Sequence, residues 1–146
     1  SSPMSTEADI KAYILSQAPL VAADMEALHQ AILDSLPTCE LWYHDGKNED
    51  GKVVSNPNIG YGHQTMYLAN GKTREFYQIG ISANTSGISV YFIGLKDKLY
   101  LKQTYAKHLG KAKITGYCIQ FKRLSDINLQ ELLYAIQDGY QQSKGN

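Results

Sequence analysis

The sequence predicts an α+β domain, with helices packed on one face of an antiparallel sheet. Three observations carry this. Between Asn58 and Gly94, two turn signals, Asn70-Gly71 and Asn84-Thr85-Ser86-Gly87, punctuate alternating strand-like runs and mark two consecutive hairpins. Val21, Met25, Leu28, Ile32 and Leu36 repeat at three- and four-residue steps, the stripe of an amphipathic helix. Leu129, Leu132, Leu133 and Ile136 draw a second stripe near the C-terminus. Strands grouped in the middle with helices at the ends describe α+β.

Taken in order, Ser1-Ser2-Pro3 before Met4 reads as a cloning remnant, so residues 1–4 are set aside and 5–142 are expected to form one domain. Residues 143–146 are expected to be a disordered tail. Thr6 is placed to cap a first helix, with Asp9 as half of a capping box and Ile10, Tyr13 and Ile14 as its apolar stripe. Pro19 suits the first turn of a second helix, which Pro37 stops. Cys39 to Tyr43 reads as a short strand with Leu41 and Trp42 on opposite sides. His44 to Pro57 is a long polar loop.

If Asn70 and Gly71 are the two residues of a type I′ turn, Ala69 faces Lys72, Tyr67 faces Arg74 and Thr65 faces Phe76. The second turn sets Ile81 opposite Val90 and Ile79 opposite Phe92. Continuous alternation then sorts a core face (Met66, Leu68, Ile79, Ile81, Ile88, Val90, Phe92) from a polar, aromatic one (Tyr61, His63, Thr65, Tyr67, Phe76, Gln78, Ser82, Ser89, Tyr91). A helix is expected over 97–108, a basic loop over 110–116, a strand over 117–122 and a last helix over 128–140, capped near Ser125 or Asp126.

The chain has 146 residues, 14 basic and 14 acidic, so no net field draws nucleic acid or an anionic membrane. No apolar run reaches bilayer length and no signal peptide opens the sequence, so the expected location is cytoplasmic. Cys39 and Cys118 sit in strand-like runs without a Cys-x-x-Cys spacing and are expected to be buried thiols.

The polar aromatic face is the functional lead, because flat rings with polar handles compose ligand clefts and interfaces. The expected ligand contacts are Trp42, Tyr61, His63, Tyr67 and Tyr91, with Lys111 and Lys113 anchoring an anionic end through charge and the backbone N–H groups of the Gly110–Gly116 loop. A structural reading stands beside this, in which a helix or loop covers the face, the tyrosines satisfy themselves there and the rings stabilise cross-strand pairs. Gly60-Tyr61-Gly62 starts like a dinucleotide fingerprint but continues with no third glycine and no helix, so tight backbone packing is expected there. No Ser/His/Asp or Cys/His arrangement suggests a catalytic group, and covalent chemistry is not expected. His44, Asp45, Glu49 and Asp50 gather metal-ligating atoms in one loop, but at neither EF-hand nor zinc spacing.

The runs Asn58-Ile-Gly-Tyr-Gly, Tyr67-Leu-Ala-Asn-Gly and Gln78-Ile-Gly-Ile-Ser resemble the YdhG-like family of bacterial domains. So do Leu109-Gly-Lys-Ala-Lys-Ile-Thr-Gly-Tyr-Cys and Lys122-Arg-Leu-Ser-Asp-Ile-Asn-Leu, and the likeness extends from about Ile10 to Tyr140. The resemblance implies a cytoplasmic α+β domain similar to frataxin, with no defined reaction. It also implies iron as a cofactor or cargo, held by carboxylates on a helix and adjoining strand such as Asp24 and Glu26. His44 and Asp45 in the polar loop are a separate metal candidate, read from the residues. The first two helices carry only Glu7, Asp9, Asp24, Glu26 and Asp34, which departs from an acidic ridge.

The expected function is therefore binding of a small molecule or protein partner on the aromatic face, without a resident cofactor. The alternatives are iron handling and a homodimeric interaction module.

Overall fold

The structure is a computed structural model that describes residues 3–144. Residues 1–2 and 145–146, parts of the segments read as remnant and tail, lie outside the described residues. Among the described residues are four α-helices: α1 (Pro3–Leu15), α2 (Pro19–Ser35), α3 (Tyr100–Leu109) and α4 (Leu129–Ser143). The strands are β1 (Leu41–His44), β2 (Asn58–Tyr61), β3 (Gln64–Tyr67), β4 (Thr73–Phe76), β5 (Ile79–Asn84), β6 (Gly87–Phe92), β7 (Lys113–Thr115) and β8 (Cys118–Phe121). The α+β class, the antiparallel pairing, the N-terminal helical pair and the C-terminal helix are as expected. Among the described residues, no helix is long and apolar enough to cross a membrane.

Six strands form one antiparallel sheet in the order β1-β2-β5-β6-β8-β7, and β3-β4 form a separate two-stranded sheet. One face of the large sheet carries Ile59, Ile79, Ile81, Val90 and Ile119, all fully buried. Met25, Leu28 and Ile32 of α2 and Leu132, Ala135 and Ile136 of α4 share their core. The α1 stripe is also buried, and the Tyr13 hydroxyl accepts a hydrogen bond from the Ala83 N–H at 2.9 Å. Burying apolar surface at about 25 cal/mol per Å² makes this face the main stabilising feature of the fold.

The β5–β6 register matches expectation, with Ile79 opposite Phe92 and Ile81 opposite Val90. The β3–β4 register does not: Gln64 faces Phe76, Met66 faces Arg74 and Tyr67 faces Thr73, one residue away from the type I′ expectation. The Leu68 N–H bonds the Lys72 carbonyl at 2.9 Å, so the loop has three residues, Ala69 to Gly71. Gly71 has φ 81°, whereas among the described residues no non-glycine has positive φ, so Asn70 does not adopt the mirror-image turn. A three-residue loop with glycine in the left-handed position is the next hairpin solution.

Alternation also breaks at Gly62 (φ 91°), between β2 and β3. Tyr61 therefore lies on the core face, 0% exposed, and not with His63. Gln78 is likewise buried: its Nε2 donates to the Tyr140 carbonyl at 2.8 Å and to Ser143 Oγ at 2.9 Å, and its Oε1 accepts the His63 N–H at 3.0 Å. Ser143 thus ends α4 as a buried residue and does not begin a tail. The cap of α4 is Asn128, whose Oδ1 accepts the Glu131 N–H at 3.2 Å, while Ser125 and Asp126 belong to a 3-10 turn. The basic loop contains the edge strand β7.

Candidate functional site

The site is built on the sheet face opposite the core, and its floor is made of glycine. Cross-strand register sets Trp42, Gly60, Gly80, Tyr91 and Cys118 in one lateral row. A Cβ on Gly60 would sit 2.3 Å from Tyr77 Cδ2, and one on Gly80 would sit 2.6 Å from Tyr77 Cε1. The Tyr77 ring therefore lies flat across both glycines. Only residues without a side chain permit that approach. Burial pushes the Tyr77 phenol up to about 12.

Other rings collect on this anchor. Phe76 stacks on Tyr77 with centroids 4.1 Å apart, and the Arg74 guanidinium lies 4.6 Å from the Phe76 centroid. His44 is 5.4 Å from Phe76 and 5.8 Å from Tyr77. Trp42 stacks with His44 and with His63, at 6.1 Å each, and its Nε1 donates to the Gly62 carbonyl at 2.7 Å. The β3–β4 hairpin thus forms an arm that leans over the non-core face of β1. Its base is pinned by Gln64, whose Nε2 donates to the carbonyls of Tyr77 and Ile93, both at 2.9 Å.

Beside this stack lies a cavity of ≈ 340 Å³ lined by His44, Asp45, Lys47, Asn58, Arg74 and Phe76, among others. His44 Nε2 and Asn58 Oδ1 are buried there without a hydrogen-bond partner. The two residues are cross-strand neighbours in β1 and β2. Burial first, and then the Arg74 charge, hold the His44 imidazole below its usual pKa, against a smaller opposing pull from Asp45. At neutral pH it is therefore uncharged, with one ring nitrogen able to donate and the other able to accept.

Of the residues expected to contact a ligand, the structure brings Trp42 and His63 together. Tyr91 extends the same face across Gly80, beside the hydroxyls of Ser89 and Ser82. Tyr61 is excluded, because it points into the core with its hydroxyl 2.6 Å from His29 Nδ1. Tyr67 stands near the far end of the arm, 79% exposed. Lys111 and Lys113 do not join the site. Lys113 lies on β7, five strand spacings or roughly 24 Å across the sheet from β1. The Lys111 N–H bonds the Asp126 carbonyl at 3.0 Å, on the same distant side.

The residues that complete the site, Asn58, Arg74 and Tyr77, carry weaker sequence signals. A type I′ turn pairs Arg74 with Tyr67, whereas the three-residue loop pairs it with Met66, and Asn58 differs from any polar strand end only through its cross-strand partner.

The proposed metal ligands are dispersed. Asp24 accepts from Arg123 Nε at 2.8 Å and from the Leu124 N–H at 3.1 Å, and the Arg123 hydrogen bond holds its carboxyl below the usual range. Asp45 Oδ1 accepts the Lys47 N–H at 2.9 Å. Glu26 lies on α2 in a separate groove with His29. Among the described residues, no three His, Cys, Asp or Glu side chains gather into a group able to hold a metal ion. Both cysteines are free and half-buried, with thiol pKa values raised chiefly by burial.

No family model, curated protein or solved structure matches the chain, so the chemistry of the site rests on its own residues.

Proposed function

We propose that this is a binding domain that takes a small planar ligand beneath the β3–β4 arm, without covalent chemistry. The observation that carries this reading is the buried, unpartnered pair His44 Nε2 and Asn58 Oδ1 beside a ring-walled cavity. Leaving a buried polar atom unpaired costs about 1–3 kcal/mol, which a ligand N–H or O–H relieves.

Asn58 Oδ1 is an acceptor only, so the ligand must present a donor to it. Neutral His44 supplies either an acceptor or a donor at Nε2, according to its tautomer. The rings of Tyr43, His44 and Phe76 line the cavity and supply apolar area, with Tyr77 buried behind Phe76 as its support. Lys47 and Arg74 outnumber Asp45 at the rim and favour an uncharged or anionic ring over a cationic one. Both polar atoms are sealed in this state, so the ligand enters by displacing the arm. The arm has its own sheet and no ladder to the large one, which makes that displacement cheap in backbone hydrogen bonds. Iron handling, the alternative brought by the family resemblance, has less support because Asp24 is engaged by Arg123 and the candidate ligands are dispersed.

Trp42 is the only tryptophan and packs on His44 and Phe76 of the cavity wall, so its fluorescence reports on the site. Adenine is expected to quench it saturably. N6,N6-dimethyladenine, which keeps the ring and loses the amino donors, is expected to bind about fivefold or more weakly. Asn58→Leu should erase that difference, and Phe76→Ala should weaken both. Absence of saturable binding by either base, in fluorescence and in calorimetry, would sink the reading.

A further inference from the structure

The large sheet has two edges, and they are protected differently. At one end β7 is only three residues long and carries Lys113, the brevity and charge that natural edges use to discourage pairing. At the other end β1 reads Leu41-Trp42-Tyr43-His44, with neither lysine nor proline. The Gly62 N–H donates to the Glu40 carbonyl at 2.8 Å, which sets the phase of the β1–β2 ladder. By antiparallel alternation, residues 40, 42 and 44 bond inward to β2, and the N–H and C=O groups of Leu41 and Tyr43 turn outward.

A groove of ≈ 490 Å³ runs beside that edge, between residues 39–43 and the N-terminal half of α1. Its charged lining residues are Glu7, Asp9 and Glu40, all acidic and all exposed.

We infer that the β1 edge and this groove take an extended basic peptide, added to the large sheet as a seventh strand. The outward groups of Leu41 and Tyr43 supply main-chain hydrogen bonds, and the three carboxylates receive Lys or Arg side chains of the incoming strand. Pairing with a second copy is the poorer fit. A two-fold β1–β1 contact would bring two sets of Glu7, Asp9 and Glu40 together, a like-charge cost that a basic strand avoids. The site is distinct from the cavity under the arm, although Tyr43 lines both.

The test uses a short blocked peptide of alternating Lys and Val, followed by Trp42 fluorescence and calorimetry on the whole chain. Binding is expected, weakened about tenfold by N-methylating the amides on one edge of the peptide, and about tenfold by replacing its Lys with Glu. Glu40→Lys, at an exposed position, should weaken it severalfold with circular dichroism unchanged, and Phe76→Ala should leave it unaltered. Equal binding of the N-methylated peptide would overturn strand addition. Equal binding of the acidic peptide would overturn the partner's charge. No binding of the basic peptide to folded protein would overturn the inference as a whole. A dimer in sedimentation that the peptide cannot dissociate would replace it with self-pairing.

Discussion

The two hairpins are neighbours in sequence and open with similar turn residues, yet they meet opposite fates. The β5–β6 hairpin is the spine of the large sheet, with Ile79, Ile81, Ile88, Val90 and Phe92 all at most 1% exposed. The β3–β4 hairpin pairs only with itself, and most of its residues are exposed or half-exposed. Turn chemistry decides that a hairpin forms; side-chain content decides what it joins. Gln64-Thr-Met-Tyr and Thr73-Arg-Glu-Phe offer too little apolar area for a core, and an isolated hairpin is marginal in water. The arm persists because Gln64, Gln78, Tyr77 and Trp42 hold its base.

The comparison breaks first at Ile81. Ile81→Ala should destabilise the protein by about 2–5 kcal/mol, whereas Thr65→Ala on the arm should change stability by less than about 0.5 kcal/mol, both read from urea denaturation. Equal effects would mean that the arm belongs to the core. Gly80→Ala comes next: its Cβ must expel the Tyr77 ring, costing about 1–3 kcal/mol and freeing the arm, visible as a change in Trp42 emission. Tyr61→Phe should cost about 1–2 kcal/mol by leaving His29 Nδ1 without its partner, with no loss of ligand binding. Loss of binding with stability intact would return Tyr61 to the functional face.

Protonation gives a further probe. The imidazoles of His29 and His44 are held below the usual 6.5, in both cases chiefly by burial. The unfolded chain therefore binds these protons first, so the stability they contribute is present above pH 6.5 and is lost as pH falls from there through the folded values. Denaturation midpoints should drop over that window, and His29→Phe should flatten part of the drop. The smallest expected effect is at the exposed Arg74, where Arg74→Ala removes a cation–π contact worth about 0.5–1 kcal/mol.

Periodicity exposed the helices and the β5–β6 register because each follows from local spacing of apolar residues. The placement of Tyr61 did not, since one left-handed glycine at position 62 resets alternation and nothing in a single sequence marks which glycine does so. Trp42 and His63 were legible as surface aromatics. Their union with Asn58 and Arg74 depends on a one-residue register and on how the arm folds over β1, both set by tertiary packing. Lys111 and Lys113 illustrate the converse, where suitable chemistry in sequence falls at the wrong edge of the sheet.

The ring of Tyr77 on Gly60 and Gly80 also constrains how this chain can diverge. The three positions, on three separate segments, form an epistatic unit: a methyl group at 60 or 80 is damaging while the ring is there and becomes tolerable once 77 is small. Drift at these sites must then proceed through Tyr77 first, and any lineage that takes that route surrenders the anchor of the arm before it gains freedom in the floor.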